Sequence, residues 1–101
     1  MDLSQEEWKN KFESDDNAFL LDVRTPEEFE EGHILEATLL DIRQPNDFME
    51  GIQTLDPAKN YYVYCRSGAR SAQACQLMSQ LGIKTTYNLL GGFMEWEGES
   101  A

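Results

Sequence analysis

Tyr61-Tyr62-Val63-Tyr64-Cys65-Arg66-Ser67-Gly68-Ala69-Arg70-Ser71 is the stretch on which the fold turns. Residues 61–64 are aromatic or β-branched, the composition of a strand. Cys65 follows with no spacer. Beyond the loop, Ala72, Cys75, Leu77, Met78 and Leu81 recur at helical spacing, so a helix is expected over 71–81, with Gly82 as its stop. The segment therefore reads as a strand, a short glycine-containing loop and a helix, with a cysteine at the strand's carboxyl end.

Reading outward from this segment extends the same pattern. Ser4 and Glu7 fit a capping box, and Trp8 and Phe12 share a face, so 4–14 reads as a helix closed by Asp15-Asp16-Asn17. Residues 18–23, AFLLDV, form an apolar run that suits a buried strand. Thr25 then caps a short helix with Pro26 in its first position and Glu27 and Glu28 in its first turn, and Gly32 ends it. A strand over 37–42 precedes a helix over 45–55 marked by Phe48, Ile52 and Leu55. Asp56 to Asn60 make a turn. On the far side of the loop, 83–90 reads as a last strand, and Gly91-Gly92 leads into a short helix holding Phe93 and Trp96. Strands alternating with helices mean an α/β fold with a mostly parallel sheet, in which ligands bind at the carboxyl ends of strands.

Length and composition narrow the function classes. A chain of 101 residues, 41% hydrophobic and 11% aromatic, has the size and make-up of one folded domain spanning 1–101. No apolar run approaches the roughly 18 residues of a membrane span, and the N-terminus lacks a signal-peptide pattern, so a cytoplasmic protein is the default expectation. Two cysteines are too few for a disulfide framework, and with the lone His33 they match no zinc spacing. Neither a metal nor an organic cofactor is expected. The net charge of −11 argues against nucleic acid and anionic membranes as partners. That charge is unevenly distributed. Residues 61–90 contain no Asp or Glu and carry Arg66, Arg70 and Lys84, so this stretch is +3 within a chain that is otherwise −14. A buried core accounts for missing acids, but two arginines beside a cysteine point to an anion-binding loop.

The chemistry of that loop follows from its position. Backbone N–H groups at a helix start have no intrahelical partner, and with the helix dipole they favour an anion. Gly68 permits the curl that aims several N–H groups at one centre. A cysteine there is expected to titrate below about 8.5 and to act as a thiolate nucleophile.

Together, three motifs in order make the chain resemble the rhodanese family over nearly its whole length. Leu21-Asp22-Val23-Arg24, Glu28-Phe29 and Gly32-His33-Ile34 look like the family's opening motif. Val63 to Ser71 looks like its active-site loop, and Asn88-Leu89-Leu90-Gly91-Gly92 with Trp96 is similar to its closing motif. The resemblance implies a three-layer fold, a five-stranded parallel sheet flanked by helices. It also implies thiosulfate:cyanide-type sulfur transfer through a persulfide on Cys65. One departure stands out: the family usually has a small glycine after His-Ile-x, where this chain has Glu36 before Ala37. Four residues separate Cys65 from Arg70, a C-x4-R ring. Related phosphatases have a ring one residue wider, shaped for a tetrahedral phosphate, so a phosphatase or arsenate reductase is disfavoured. A sulfur carrier or protein-binding module is the other alternative.

These readings assign roles. Cys65 is the nucleophile, and Arg66, Ser67, Gly68, Ala69 and Arg70 bind the substrate, with Arg66 meeting a small anionic sulfur donor. Asp22, Arg24, Glu28 and Ser71 support the loop. Arg70 is expected to pair with a carboxylate, Asp22 first and Glu28 second. Cys75 reads as a buried small hydrophobe. His33 reads as a turn-ordering residue rather than a base, and Trp8 and Trp96 as packing residues. The acceptor is a thiophile such as cyanide or a protein thiol. Its identity, like the oligomeric state, is not written in the sequence.

Overall fold

A computed structural model describes residues 1–101. Its strands are β1 (Asp2–Leu3), β2 (Ala18–Asp22), β3 (Thr38–Leu39), β4 (Asn60–Tyr64) and β5 (Thr85–Leu89). Its helices are α1 (Gln5–Glu13), α2 (Pro26–Glu31), α3 (Pro45–Gln53) and α4 (Ala69–Gln80), with a 3-10 turn at Phe93–Glu95. The strands form one sheet in the order β1-β5-β4-β2-β3, and every pairing is parallel.

Alternation along the strands divides the core between the two faces of the sheet. Tyr61, Val63 and Cys65 join Leu21, Phe48, Ile52, Cys75 and Met78 in one apolar cluster, beneath α3 and α4. Tyr62 and Tyr64 join Leu3, Trp8, Leu20 and Leu89 in the other, beneath α1. Trp8 is fully buried, and its indole N–H donates to the Tyr87 carbonyl (3.1 Å). Trp96 meets it edge-on at 5.8 Å, so both tryptophans pack as expected.

The structure differs from the sequence reading in specific places. Reading the residues alone gave four strands; the fifth is β1, two residues long and paired with Asn88 and Leu89 of β5. So short a strand carries no periodicity, and only the edge of β5 makes it one. The 37–42 strand shrinks to Thr38–Leu39, and α4 begins two residues earlier than expected, at Ala69. Glu36 has φ 74°, the one non-glycine residue in the left-handed region. The chain thus keeps the turn geometry at that position with a glutamate, at a cost of about 1–2 kcal/mol.

Topology places the site. After β2 the chain moves outward to β3, and after β4 it moves the other way to β5. The carboxyl ends of β2 and β4 therefore flank the switch point, where crossovers diverge and leave a crevice. Asp22 ends one of these strands and Tyr64 the other, and their register pairs them directly.

Candidate active site

Cys65 is buried where β4 passes into the loop. Gly68 adopts φ 108° and caps α4, and its N–H donates to Cys65 Sγ at 3.1 Å. A side chain at this φ would be strained, so the tight curl depends on glycine. Ser71 Oγ lies 3.4 Å from Sγ. Burial opposes the charged form of Cys65, but the hydrogen-bonding groups around Sγ, the N–H groups of Ser71, Gly68 and Ser67 among them, outweigh it, and the thiol titrates below its ordinary value. Cys75, buried within α4, is pushed the other way by desolvation. The two thiols therefore differ in the sense expected from their positions.

The outer wall of the loop comes from the closing motif. Phe93 N–H donates to the Cys65 carbonyl (2.9 Å) and Met94 N–H to the Arg66 carbonyl (3.0 Å). A peptide plane is rigid and trans, so a carbonyl pulled outward turns the next residue's N–H inward. Holding the Arg66 carbonyl outward is what aims the Ser67 N–H at Sγ. Gly92 makes this approach possible: a Cβ there would lie 2.4 Å from Arg66 O and 2.6 Å from Cys65 O.

The carboxylates are arranged differently from expectation. Arg70 pairs with Glu28, through two bonds of 2.8 and 2.9 Å, and not with Asp22. Asp22 is already occupied: it accepts from Arg24 N–H, Nε and Nη2 and from the Tyr64 hydroxyl (2.6 Å). A buried carboxylate with that many donors has no lone pair free for a second arginine. Arg24 in turn donates to the Gly32 carbonyl (2.7 Å) and stacks over Phe93, 4.5 Å from the ring centroid. It thereby ties the opening motif to the closing one. His33 stacks on Phe29, with Nδ1 2.9 Å from the Phe29 carbonyl, in the turn-ordering role expected.

Glu28 has two tasks. It completes the capping box of α2 by accepting from Thr25 N–H and Oγ1 (both 3.1 Å), and it clamps Arg70. The Arg70 guanidinium, with Thr25's donors, holds its carboxyl down at about 2 from a usual 4.5, against the opposing effect of burial. Because the folded value is depressed, the stabilisation is complete above about pH 4.5 and is lost as pH falls through 2. Glu28→Gln should cost about 2 kcal/mol at pH 7, and that difference from wild type should narrow steadily between pH 5 and 2 in urea melts. A difference that does not change with pH would show that the pair adds nothing to stability.

A cleft of about 360 Å3 opens beside the loop, lined by Arg24, Glu28, Glu31, Gly32, Arg66, Phe93 and Met94. Arg24 and Arg70 are neutralised by carboxylates, whereas Arg66 is exposed and pairs with none. Of the expected site residues, Cys65 to Ser71 converge as the loop, Glu28 clamps it, and Asp22 and Arg24 buttress the cleft wall. Sequence reasoning quoted Asn88 and Gly92 within the closing motif but gave them no role, and it missed the N–H groups of Phe93 and Met94. The motif was their visible signal.

The profile of the rhodanese-like domain matches residues 4–99. This chain belongs to the rhodanese family. It is 42% identical over 99 residues to the "Putative sulfurtransferase YtwF" of Bacillus subtilis, covering 98% of this chain and 92% of that one. A sulfurtransferase of Allochromatium vinosum is 33% identical over 95 residues, covering 94% and 86%. The crystal structure of a rhodanese-like domain protein from Staphylococcus aureus superposes with a TM-score of 0.82 at 28% identity, covering 97% and 92%. The five-stranded parallel sheet with four helices is thus the rhodanese-like fold, and sulfur transfer is the general chemistry of the named relatives.

Proposed function

We propose that this rhodanese-like domain transfers sulfane sulfur through a persulfide on Cys65. The observation that carries the reading is the buried Sγ set at the focus of loop N–H groups within a C-x4-R ring. With thiosulfate as donor, the Cys65 thiolate attacks the outer sulfur. A new S–S bond forms to Sγ, the old S–S bond breaks, and its electron pair leaves with sulfite. The terminal sulfur then carries the negative charge, and the loop N–H groups stabilise it. Cyanide attacks that sulfur, departs as thiocyanate and regenerates the thiolate, giving ping-pong kinetics. The chemistry calls for no metal or organic cofactor.

A protein thiol is the second acceptor considered, favoured by Met94 and Leu90, which stand exposed beside the loop. In either case Arg66 would meet the anionic donor, a reading supported by its exposure at the cleft without a carboxylate partner. Arg66→Ala should raise KM for thiosulfate about tenfold with little change in kcat, the signature of lost uniform binding. An unchanged KM would remove Arg66 from substrate binding.

Intact-mass spectrometry tests the central claim. Thiosulfate should add one sulfur, about 32 Da, to Cys65, and cyanide should remove it. Label on Cys75 instead, or none on Cys65 with any donor, would refute persulfide transfer here.

A further inference from the structure

Behind the loop lies a polar chain, buried at Ser71 and Asn88 and reaching the surface at Asp2, that the proposed mechanism does not use. Ser71 Oγ is within hydrogen-bond distance of three acceptors: Cys65 Sγ (3.4 Å), the Gly68 carbonyl (3.2 Å) and Asn88 Oδ1. A hydroxyl has one proton and can satisfy only one of them. The orientation of the Asn88 amide decides which. Its Nδ2 donates to Asp2 Oδ1 (3.0 Å) on β1 and to the Gly68 carbonyl (3.2 Å). Flipping the amide would set Oδ1 against a carboxylate and a carbonyl, so Oδ1 is fixed toward Ser71.

Counting donors then settles the proton. Asn88 Oδ1 is buried and has no donor other than the Ser71 hydroxyl. Left unmet, it would carry the full desolvation penalty of a buried acceptor. Cys65 Sγ already has the N–H groups of Ser67, Gly68 and Ser71.

We propose that Asn88, held by Asp2, takes the Ser71 proton, so that Ser71 turns a lone pair toward Cys65 and accepts the S–H of the resting thiol. Asn88 is then a positioning residue that restrains thiolate formation, and the N–H groups favour the thiolate against it. The restraint suits a nucleophile, because intrinsic reactivity falls as a thiol's pKa falls, and the best attacking thiol titrates near ambient pH. It also links the edge strand β1 to the chemistry through Asp2, the one charged member of the chain.

The proposal builds on the reading of Cys65 as nucleophile, but its test reads only the titration of that thiol, so the two can fail separately. The other charged groups on the elements around Cys65 are Arg66 in the loop, the Arg70–Glu28 pair from α4 and α2 with Asp41 acting on Arg70, the Arg24–Asp22 pair at the end of β2, Asp2 on β1 and the Met1 ammonium just before it. The variants leave all of them in place, together with Cys75.

The experiment follows the pH dependence of iodoacetamide alkylation of Cys65, resolved from Cys75 by peptide mass spectrometry. In Ser71→Ala, which removes a single oxygen, the midpoint should stay where it is or fall. A rise would mean that Ser71 donates to the thiolate, and would overturn the proposal. In Asn88→Leu the freed hydroxyl should turn to Sγ and lower the midpoint by about one pH unit. In Ser71→Ala/Asn88→Leu that drop should vanish, because it acts through Ser71. An Asn88→Leu midpoint that is unchanged or raised, or a drop that persists without the hydroxyl, would overturn it. Should Asn88→Leu fail to fold, the sign seen in Ser71→Ala decides alone.

Discussion

Replacing Gly92 by alanine should destabilise the protein by about 3 kcal/mol or more and detach the outer wall of the Cys65 loop. Two independent costs add. Gly92 has φ 58° and ψ −160°, a region essentially reserved for glycine. The new Cβ would also lie 2.4 Å from Arg66 O, a backbone atom that cannot swing aside as a side-chain tip can. Relief requires the Gly91–Met94 segment to withdraw, and with it go the N–H donors to the Cys65 and Arg66 carbonyls. The peptide following Arg66 is then free to rotate and the Ser67 N–H no longer points at Sγ. Melting should fall by roughly 12–24 °C, given the 4–8 °C per kcal/mol typical of a chain this size. At 10 °C, where the variant is still folded by circular dichroism, sulfur transfer should be at least about tenfold slower, the scale of one lost donor. A folded variant with wild-type turnover would show that the closing motif does not shape the loop.

The second large effect concerns ring size. Inserting one glycine between Ser67 and Gly68 makes the ring C-x5-R. Gly68 is pinned on both sides, its N–H on Sγ and its carbonyl on the Asn88 amide, and it lies against the β5 end, a Cβ there coming within 3.4 Å of Leu89 O. The added residue must therefore bulge within Arg66–Ser67, enlarging the space around Sγ and turning N–H groups away from a single terminal sulfur. Thiosulfate:cyanide turnover should drop ten- to a thousand-fold, about 1.4–4 kcal/mol of transition-state stabilisation. Phosphate or arsenate binding, followed by calorimetry, should rise from near nothing. Full phosphatase activity is not expected, because nothing is placed to protonate a leaving group. Wild-type sulfur transfer in the insertion variant would mean that ring size does not select the chemistry.

Much of this was legible in the residues because the signals are local. Strand, loop and helix around Cys65 follow from propensity, a glycine and helical spacing. Thr25, Pro26 and Glu28 announce the start of α2, and Thr25 caps it as read; the reciprocal capping box forms there rather than at Ser4, whose side chain accepts from the Glu7 N–H without the return bond. The cationic balance of 61–90 is visible as a stretch without acids flanked by acidic sequence. What could not be read were pairings between distant segments. Along the chain Asp22 reads as the first partner for Arg70 and Glu28 as the second, the reverse of what forms. Only the fold shows that Arg24 and Tyr64 have already filled Asp22.

The sequence by itself thus determined the order of elements, the carboxyl-end position of Cys65 and the N–H-rich loop around it, since each depends on residues a few positions apart. Tertiary structure alone decided that Asp2 forms the fifth strand, that Asn88 faces Ser71, and that Gly92 lets backbone meet backbone behind the loop. Those contacts join residues 17 to 86 positions apart, and no local propensity encodes them. They arise when a parallel sheet brings the carboxyl ends of its strands together and every buried donor and acceptor there must find a partner.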